Sequence, residues 1–193
     1  MAKVNWKGGA LLAPVPPVLV TVGNGEKSNV FTVAWTGLIN TVPPKTYISV
    51  RPSRYSYDFI KESGEFVLNL TPSSLIRAAD WCGIHTGRKA DKFAKWSLTR
   101  AAANEVSVPI IEECPLSLEC RVFDIIELGS HHMFLADIVC VDVDAEIIDK
   151  EGRLHIERAG LAAFAHGEYF ELGRSLGRFG FSVKKKKKHS QKR

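Results

Sequence analysis

The sequence predicts a mainly β fold, a closed antiparallel barrel with helical insertions. Three observations predict it. Six or seven short runs rich in apolar and β-branched residues punctuate the chain, with few helical stretches between them and no repeated βαβ order. Two of the runs, Leu116–Leu128 and Met133–Ile148, are long enough to pair as a ribbon about the turn Gly129-Ser-His-His132. The 193 residues, 45% of them hydrophobic, suffice for one substantial core.

The elements follow in order. Residues 1–16 are a lead-in, with Pro14, Pro16 and Pro17 near its end. Val18–Val22 is apolar and β-branched, Gly23-Asn-Gly25 is a turn signal, and Lys27–Trp35 returns as a second strand, so the three read as a hairpin. Pro43-Pro44 interrupts the chain before the strand Thr46–Val50, where proline is tolerated at a strand entrance. Tyr57–Ser63 reads as a helix stopped by Gly64, and Glu65–Leu70 as the next strand. Ser73–Cys82 reads as a helix with a serine cap and Gly83 at its end. Ile84–Trp96 is polar and irregular, and a connection of that length is often functional. In Met133–Ile148 both parities are apolar through the first half, as befits a barrel or a subunit interface. Lys150-Glu-Gly152 is a turn, Ala159–His166 reads as a short helix and Tyr169–Gly173 as a further short element.

Charge divides the chain. The formal net charge is +5, but residues 184–193, KKKKKHSQKR, hold seven cationic side chains and no acidic one. The remainder carries 19 Lys and Arg against 21 Asp and Glu, a net charge of −2. Residues 1–182 are therefore expected to form one nearly neutral domain and 183–193 a disordered basic tail. A nucleic-acid-binding domain would carry its positive charge on the fold, so no specific nucleic acid partner is expected. The longest apolar runs fall short of a bilayer span and no signal peptide is visible, which leads us to expect a cytoplasmic protein without a membrane partner. Cys82, Cys114, Cys120 and Cys140 show no metal-ligand spacing; they read as reduced, mostly buried thiols, with Cys114 the least apolar in its surroundings.

The chemistry concentrates in Ser28–Ser56. Its second strand ends in Arg51-Pro-Ser-Arg54-Tyr-Ser56, which places two guanidinium groups and two serine hydroxyls ahead of a helix. Helix N-termini and arginine forks both favour phosphate, so this segment reads as an anion socket; equally, Ser53 or Ser56 would serve as a plain helix cap. Lys92 in the long loop could reach the same phosphate or lie in water. No nucleophile constellation, phosphate loop or dinucleotide fingerprint is present. His131 and His132 are adjacent on a strand end and point to opposite faces, which makes them poor joint metal ligands, and no metal site is expected. Trp35, Trp81, Phe164, Tyr169 and Phe170 could line a flat aromatic ligand or simply fill a core.

Taken in order and spacing, several segments resemble the flavin reductase-like, FMN-binding split-barrel family, in its flavoredoxin-type branch. They are Pro16–Thr21, Asn29–Trp35, Pro43–Ser56, Gly64–Asn69, Asp91-Lys-Phe93, Gly129–His132 and Tyr169–Gly173. The resemblance spans about residues 10–182. It implies a homodimeric split barrel with non-covalent FMN near the subunit interface. By position, Asn29, Val30, Phe31 and Thr32 would contact the isoalloxazine, with Trp35 nearby. Ser49, Arg51, Arg54, Tyr55 and Ser56 would hold the ribityl phosphate, joined by Lys92. His131 would approach the flavin from the ribbon tip as a modulator, and Phe164 would pack near the ring.

No catalytic acid or base need then be assigned, because the flavin carries the redox chemistry. The expected function is that of an FMN-binding oxidoreductase passing electrons from NAD(P)H through FMN to an acceptor. The alternatives are a flavoredoxin-type electron carrier served by a redox partner protein, without direct nicotinamide turnover, and a flavin-free protein whose basic tail meets anionic surfaces.

Overall fold

The computed structural model describes residues 1–183. The basic tail expected at 183–193 lies outside the described residues except for Val183. The main element is one seven-stranded antiparallel sheet. Its strands are β1 (Val18–Val22), β2 (Asn29–Val33), β3 (Thr36–Thr41), β4 (Pro44–Val50), β5 (Glu65–Leu70), β8 (Leu116–Glu127) and β9 (His132–Val143). Two short strands, β6 (Arg100–Ala101) and β7 (Ile110–Ile111), pair with each other in the connection before β8. The order in space is β2-β1-β5-β8-β9-β4-β3. Its two outer strands, β2 and β3, are consecutive in the chain and joined only by Ala34-Trp35. That junction brings the two ends of the sheet together, and the sheet curls into a split barrel.

The wall follows from side-chain alternation. Along β9, Phe134, Ala136 and Ile138 are buried, while Met133, Leu135, Asp137 and Val139 are only partly covered. The inward set joins Val20, Val22, Phe31, Val33, Ile48, Val50, Phe66, Leu68 and Cys120 in the main core, which Tyr57 and Ile60 of the helix α1 (Ser56–Ser63) complete. All five residues of β1 are buried because both of its faces are covered. Leu19 and Val30 face outward into a second core with Ala79 and Cys82 of α2 (Ile76–Ile84) and Phe93 of α3 (Lys92–Trp96). Each such large apolar side chain stabilises the fold by roughly 1.5–3 kcal/mol when fully buried.

The hairpin, the strands ending at Val50 and Leu70, the first helix and the long ribbon occur where the sequence places them. The ribbon ends sooner: β9 stops at Val143, and Ala145–Ile147 is a 3-10 turn capped by Asp144. Ser73–Cys82 divides into a 3-10 turn, Ser73–Leu75, and α2, which runs through Gly83 instead of stopping there. A Cβ at Gly83 would lie 3.3 Å from Thr32 Cβ, so the glycine lets α2 pack close against β2. The expected helix at Ala159–His166 is a strand, β10 (Ala162–Ala165), paired with β11 (Glu168–Glu171). His166 and Gly167 both have positive φ, 52° and 88°, and such a two-residue turn matches the strand twist and makes a hairpin. The loop 84–96 contains α3, whose cap is Asp91: its carboxylate accepts from the Phe93 and Ala94 amides at 2.9 and 3.2 Å. The cysteines are free; Cys82, Cys114 and Cys120 are buried, and Cys140, not Cys114, is the partly exposed one. No described helix is long and apolar enough to cross a membrane.

Candidate functional site

The β4–α1 connection carries Arg51, Ser53, Arg54, Tyr55 and Ser56 into one wall of a cavity of about 420 Å³. Asn29 and Phe31 come from β2. Cys82, His85, Thr86 and Gly87 come from the end of α2 and the loop beyond it, and Lys92 from α3. Backbone bonds from the Arg54 amide to the Arg51 carbonyl and from the Tyr57 amide to the Arg54 carbonyl, both 3.0 Å, hold this turn against α1. Ser56 does not cap α1; its hydroxyl accepts from Asn29 Nδ2 at 2.8 Å and fastens the turn to β2. Arg54 Nη1 donates to the Gly83 carbonyl at 2.9 Å and reaches across to α2.

Lys92 is not a solvated loop lysine. It is 3% exposed and donates from Nζ to the Cys82 carbonyl at 2.7 Å. Burial, with a lesser contribution from the Arg54 charge, lowers its pKa to about 8. Arg51, Arg54 and Lys92 thus converge on a cavity with no carboxylate in its wall, and among the described residues neither arginine has an acidic partner. Three cations without counterions suit a phosphate dianion. Gly87 allows the close approach of the loop, since a Cβ there would lie 2.3 Å from Asn29 Oδ1.

A second cavity of about 150 Å³ adjoins the first, and Phe31, Arg51 and Arg54 line both. Its remaining walls include Thr32, Trp35, Ser49 and His131. Thr32 Oγ1 donates to the Ala79 carbonyl, and the Ser49 amide donates to the Trp35 carbonyl at 2.9 Å. The rings of Trp35 and His131 lie 4.5 Å apart, tilted by 39°. Burial, then the charges of Arg51 and Arg54, hold the His131 pKa below its ordinary value. A third cavity of about 340 Å³ shares Ala34, Trp35 and Ser49 with the second and is otherwise mostly apolar, including Leu12, Tyr47, Leu128 and Met133.

The structure therefore gathers Asn29, Phe31, Thr32, Trp35, Ser49, Arg51, Arg54, Tyr55, Ser56, Lys92 and His131 along one trough. Two expected residues stand apart from it. The Val30 side chain is buried in the outer core, so only its backbone is available to a ligand on the trough side. Phe164 lies on β10, paired through its backbone with Val15 and packed 5.1 Å from Tyr169. Cys82, His85, Thr86 and Gly87 also line the trough; the sequence marks Cys82 only as a buried thiol, and the length of loop 84–96 is the one signal for the other three.

Elsewhere, Glu119, Cys140 and Asp142 bring three ligand-type atoms within 4.8 Å of one another. The Glu119 carboxylate is already engaged by the Asn104, Glu105 and Val106 amides at 2.7–2.9 Å. The cluster fastens a loop to the barrel wall.

Comparison with known proteins gives the family and the fold. The family model described as the flavin reductase like domain matches residues 11–173. Flavoredoxin of Desulfovibrio vulgaris (Miyazaki F) superposes with a TM-score of 0.87 at 29% identity, over 95% of this chain and 100% of that one. Flavoredoxin from Methanosarcina acetivorans has the same fold, with a TM-score of 0.86 at 24% identity and the same coverage. An uncharacterised protein of Archaeoglobus fulgidus is 36% identical over 130 residues, 67% of this chain and 73% of its own. A Streptomyces viridifaciens NADPH-flavin oxidoreductase is 26% identical over 143 residues, 72% of this chain and 68% of its own. With its split barrel and its trough of cations and aromatic rings, the chain belongs to the flavin reductase-like domain family, in the flavoredoxin-type branch.

Proposed function

We propose that this protein binds FMN non-covalently and acts as an oxidoreductase that passes electrons from NAD(P)H through FMN to an acceptor. The observation that carries this reading is the continuity of a three-cation, carboxylate-free cavity with one walled by Phe31, Trp35 and His131. Arg51, Arg54 and Lys92, with the Ser53 and Ser56 hydroxyls, would hold the phosphate. The second cavity would take the ring system, with Asn29 to Thr32 along one edge. When bound, FMN supplies the redox chemistry, taking up a hydride or electrons and giving them on. The chain's own residues bind the phosphate, fix the ring and set the local charge. The apolar third cavity beside Trp35 leaves room for a reaction partner to approach.

A homodimer is part of the proposal. Leu38 and Ile39 of β3, together with Trp35, Val42, Phe123 and Leu128, are large apolar side chains left exposed on the barrel. A second copy covering them would lie beside the trough and could bring Phe164 to it. A cytoplasmic setting agrees with four free thiols.

The flavoredoxin likeness, which spans the whole of that protein, favours a second reading: an electron carrier with tightly held FMN, served by a redox partner protein. The visible spectrum of the purified protein, taken anaerobically before and after NADH and NADPH, separates the two. Stoichiometric FMN that bleaches rapidly with either nucleotide supports the oxidoreductase. Bound FMN that bleaches with neither supports the carrier. No flavin, and no uptake of added FMN, overturns both.

A further inference from the structure

We propose that a phosphate dianion in the arginine-lined cavity drives protonation of His131, so that loading the cofactor charges the imidazole at the ribbon tip. This rests on the FMN reading for its natural ligand, but only the phosphate is needed for the effect.

The geometry makes the link. Arg51 and Arg54 line both cavities, so they face the phosphate on one side and His131 on the other. Among the described residues His131 has no carboxylate within ion-pair distance, and neither arginine has one. The groups around the His131 ring are few. Trp35, from the β2–β3 junction, is uncharged. Ser130, on the same turn, has its Oγ 2.9 Å from His131 Nδ1, and a hydroxyl can serve either protonation state of the ring. Glu127 is the acid at the ribbon tip, and its oxygen lies 4.0 Å from Nδ1 of His132, which points to the other face. In the unliganded protein, then, an imidazole shares a wall with two uncompensated guanidinium groups, and its charged form is disfavoured. Burial is the larger part of that penalty and the guanidinium charges the smaller; two negative charges placed against the same guanidinium groups offset the arginine part.

The balance is simple. The phosphate dianion enters, one proton comes from the solvent to the free ring nitrogen of His131, and no covalent bond other than that N–H changes. The consequence is a cation at the ring end of the trough whenever the phosphate end is filled. A cation there favours negative charge on whatever occupies the second cavity. A flavin without phosphate would lack this effect.

The test is an NMR pH titration of the histidine ring signals, with His131 identified from the His131→Gln variant. It is run on the unliganded protein, with riboflavin, with riboflavin plus inorganic phosphate, and with FMN. The expected result is an upward shift of the His131 midpoint with FMN and with inorganic phosphate, and none with riboflavin alone. In Arg51→Met the unliganded midpoint is already raised, and FMN adds a smaller increment. An unchanged midpoint in a sample whose visible spectrum shows bound FMN overturns the proposal and leaves the FMN reading intact. No FMN binding, with inorganic phosphate still shifting His131, overturns the FMN reading and keeps the linkage. No shift with either anion overturns the linkage.

Discussion

Tyr57 Oη lies 2.8 Å from Nδ1 of His132, and the bond ties the first turn of α1 to the tip of the β8–β9 ribbon. The tyrosine ring also meets His132 and Phe134 edge-on, at 5.4 Å each. One residue earlier, Ser56 bonds Asn29 on β2. Successive residues of one helix turn therefore anchor both ends of the trough, and His132 held inward leaves His131 facing the ring cavity.

The Tyr57→Phe variant keeps the ring packing and loses the hydrogen bond. It should unfold in urea with a stability lower by about 1 kcal/mol. The visible circular dichroism of bound FMN should change too, because the histidine at the tip is less firmly held. Wild-type stability and an unchanged spectrum would mean that this bond positions nothing.

Gly87 marks where a small change should have a large effect. In Gly87→Ala the new methyl group meets Asn29 Oδ1 at 2.3 Å and Tyr55 Cδ1 at 2.9 Å, so the loop or the Asn29–Ser56 bond must give way. Overpacking of this kind costs roughly 1–3 kcal/mol. If that strain falls on the binding turn, FMN affinity drops by about tenfold or more, as read by fluorescence titration. Full affinity would place the loop elsewhere in solution.

Lys92 should trade stability for binding. Its pKa is lowered to about 8 from the usual 10.5, so the fold disfavours its charged form. The unliganded protein therefore gains stability as pH rises from about 8 towards 10.5. Lys92→Met removes the penalty. It should be more stable than wild type at neutral pH, with an advantage that shrinks as pH rises through this window. It should also bind FMN about tenfold more weakly, from the loss of one charge-assisted bond. Urea unfolding at two pH values, paired with a binding titration, checks both halves.

Asp142 gives a pH dependence of a different origin. Three backbone amides keep Glu119 ionised at full burial, while burial and the Glu119 charge push the Asp142 pKa up. A carboxyl whose pKa is raised by folding contributes stability below its ordinary range, and that contribution is lost as pH climbs through the raised value. Asp142→Asn should match wild type in acid and exceed it increasingly as pH rises through that window, with the excess levelling off above it. Parallel stability curves for the two proteins would show that Asp142 carries no such shift.

Much of this was legible in the sequence because it is local. The turn Arg51–Ser56 concentrates its cations in six residues, and the ribbon announces itself by length and by the turn at Gly129. Other elements gave weak local signals. β3 is an edge strand with four of its six residues exposed, so it lacks a clean alternation. Ala162-Ala-Phe-Ala165 has helical composition, and only the positive φ of His166 and Gly167 turns it into a hairpin. The five residues of α3 are too few for a period. Lys92 looks solvated until α2 and the barrel close over it, and His85 and Cys82 join the cavity only through the packing of α2 on β2. The cluster of cations is written along the chain; the pocket that gathers them is made by contacts between distant segments.

The strand order carries a consequence for synthesis. The triplet β2-β1-β5 and the pair β4-β3 share no ladder, and β8 with β9 is the span between them. A growing chain released only as far as Pro115 holds Asn29 and Arg51 on two pieces of sheet that share no ladder, and His131 does not yet exist. Until the ribbon tip has been made, the trough lacks the wall that His131 supplies. Loading is therefore an event of the finished barrel, and the nascent protein must keep its strand edges covered without help from the ligand it will later carry.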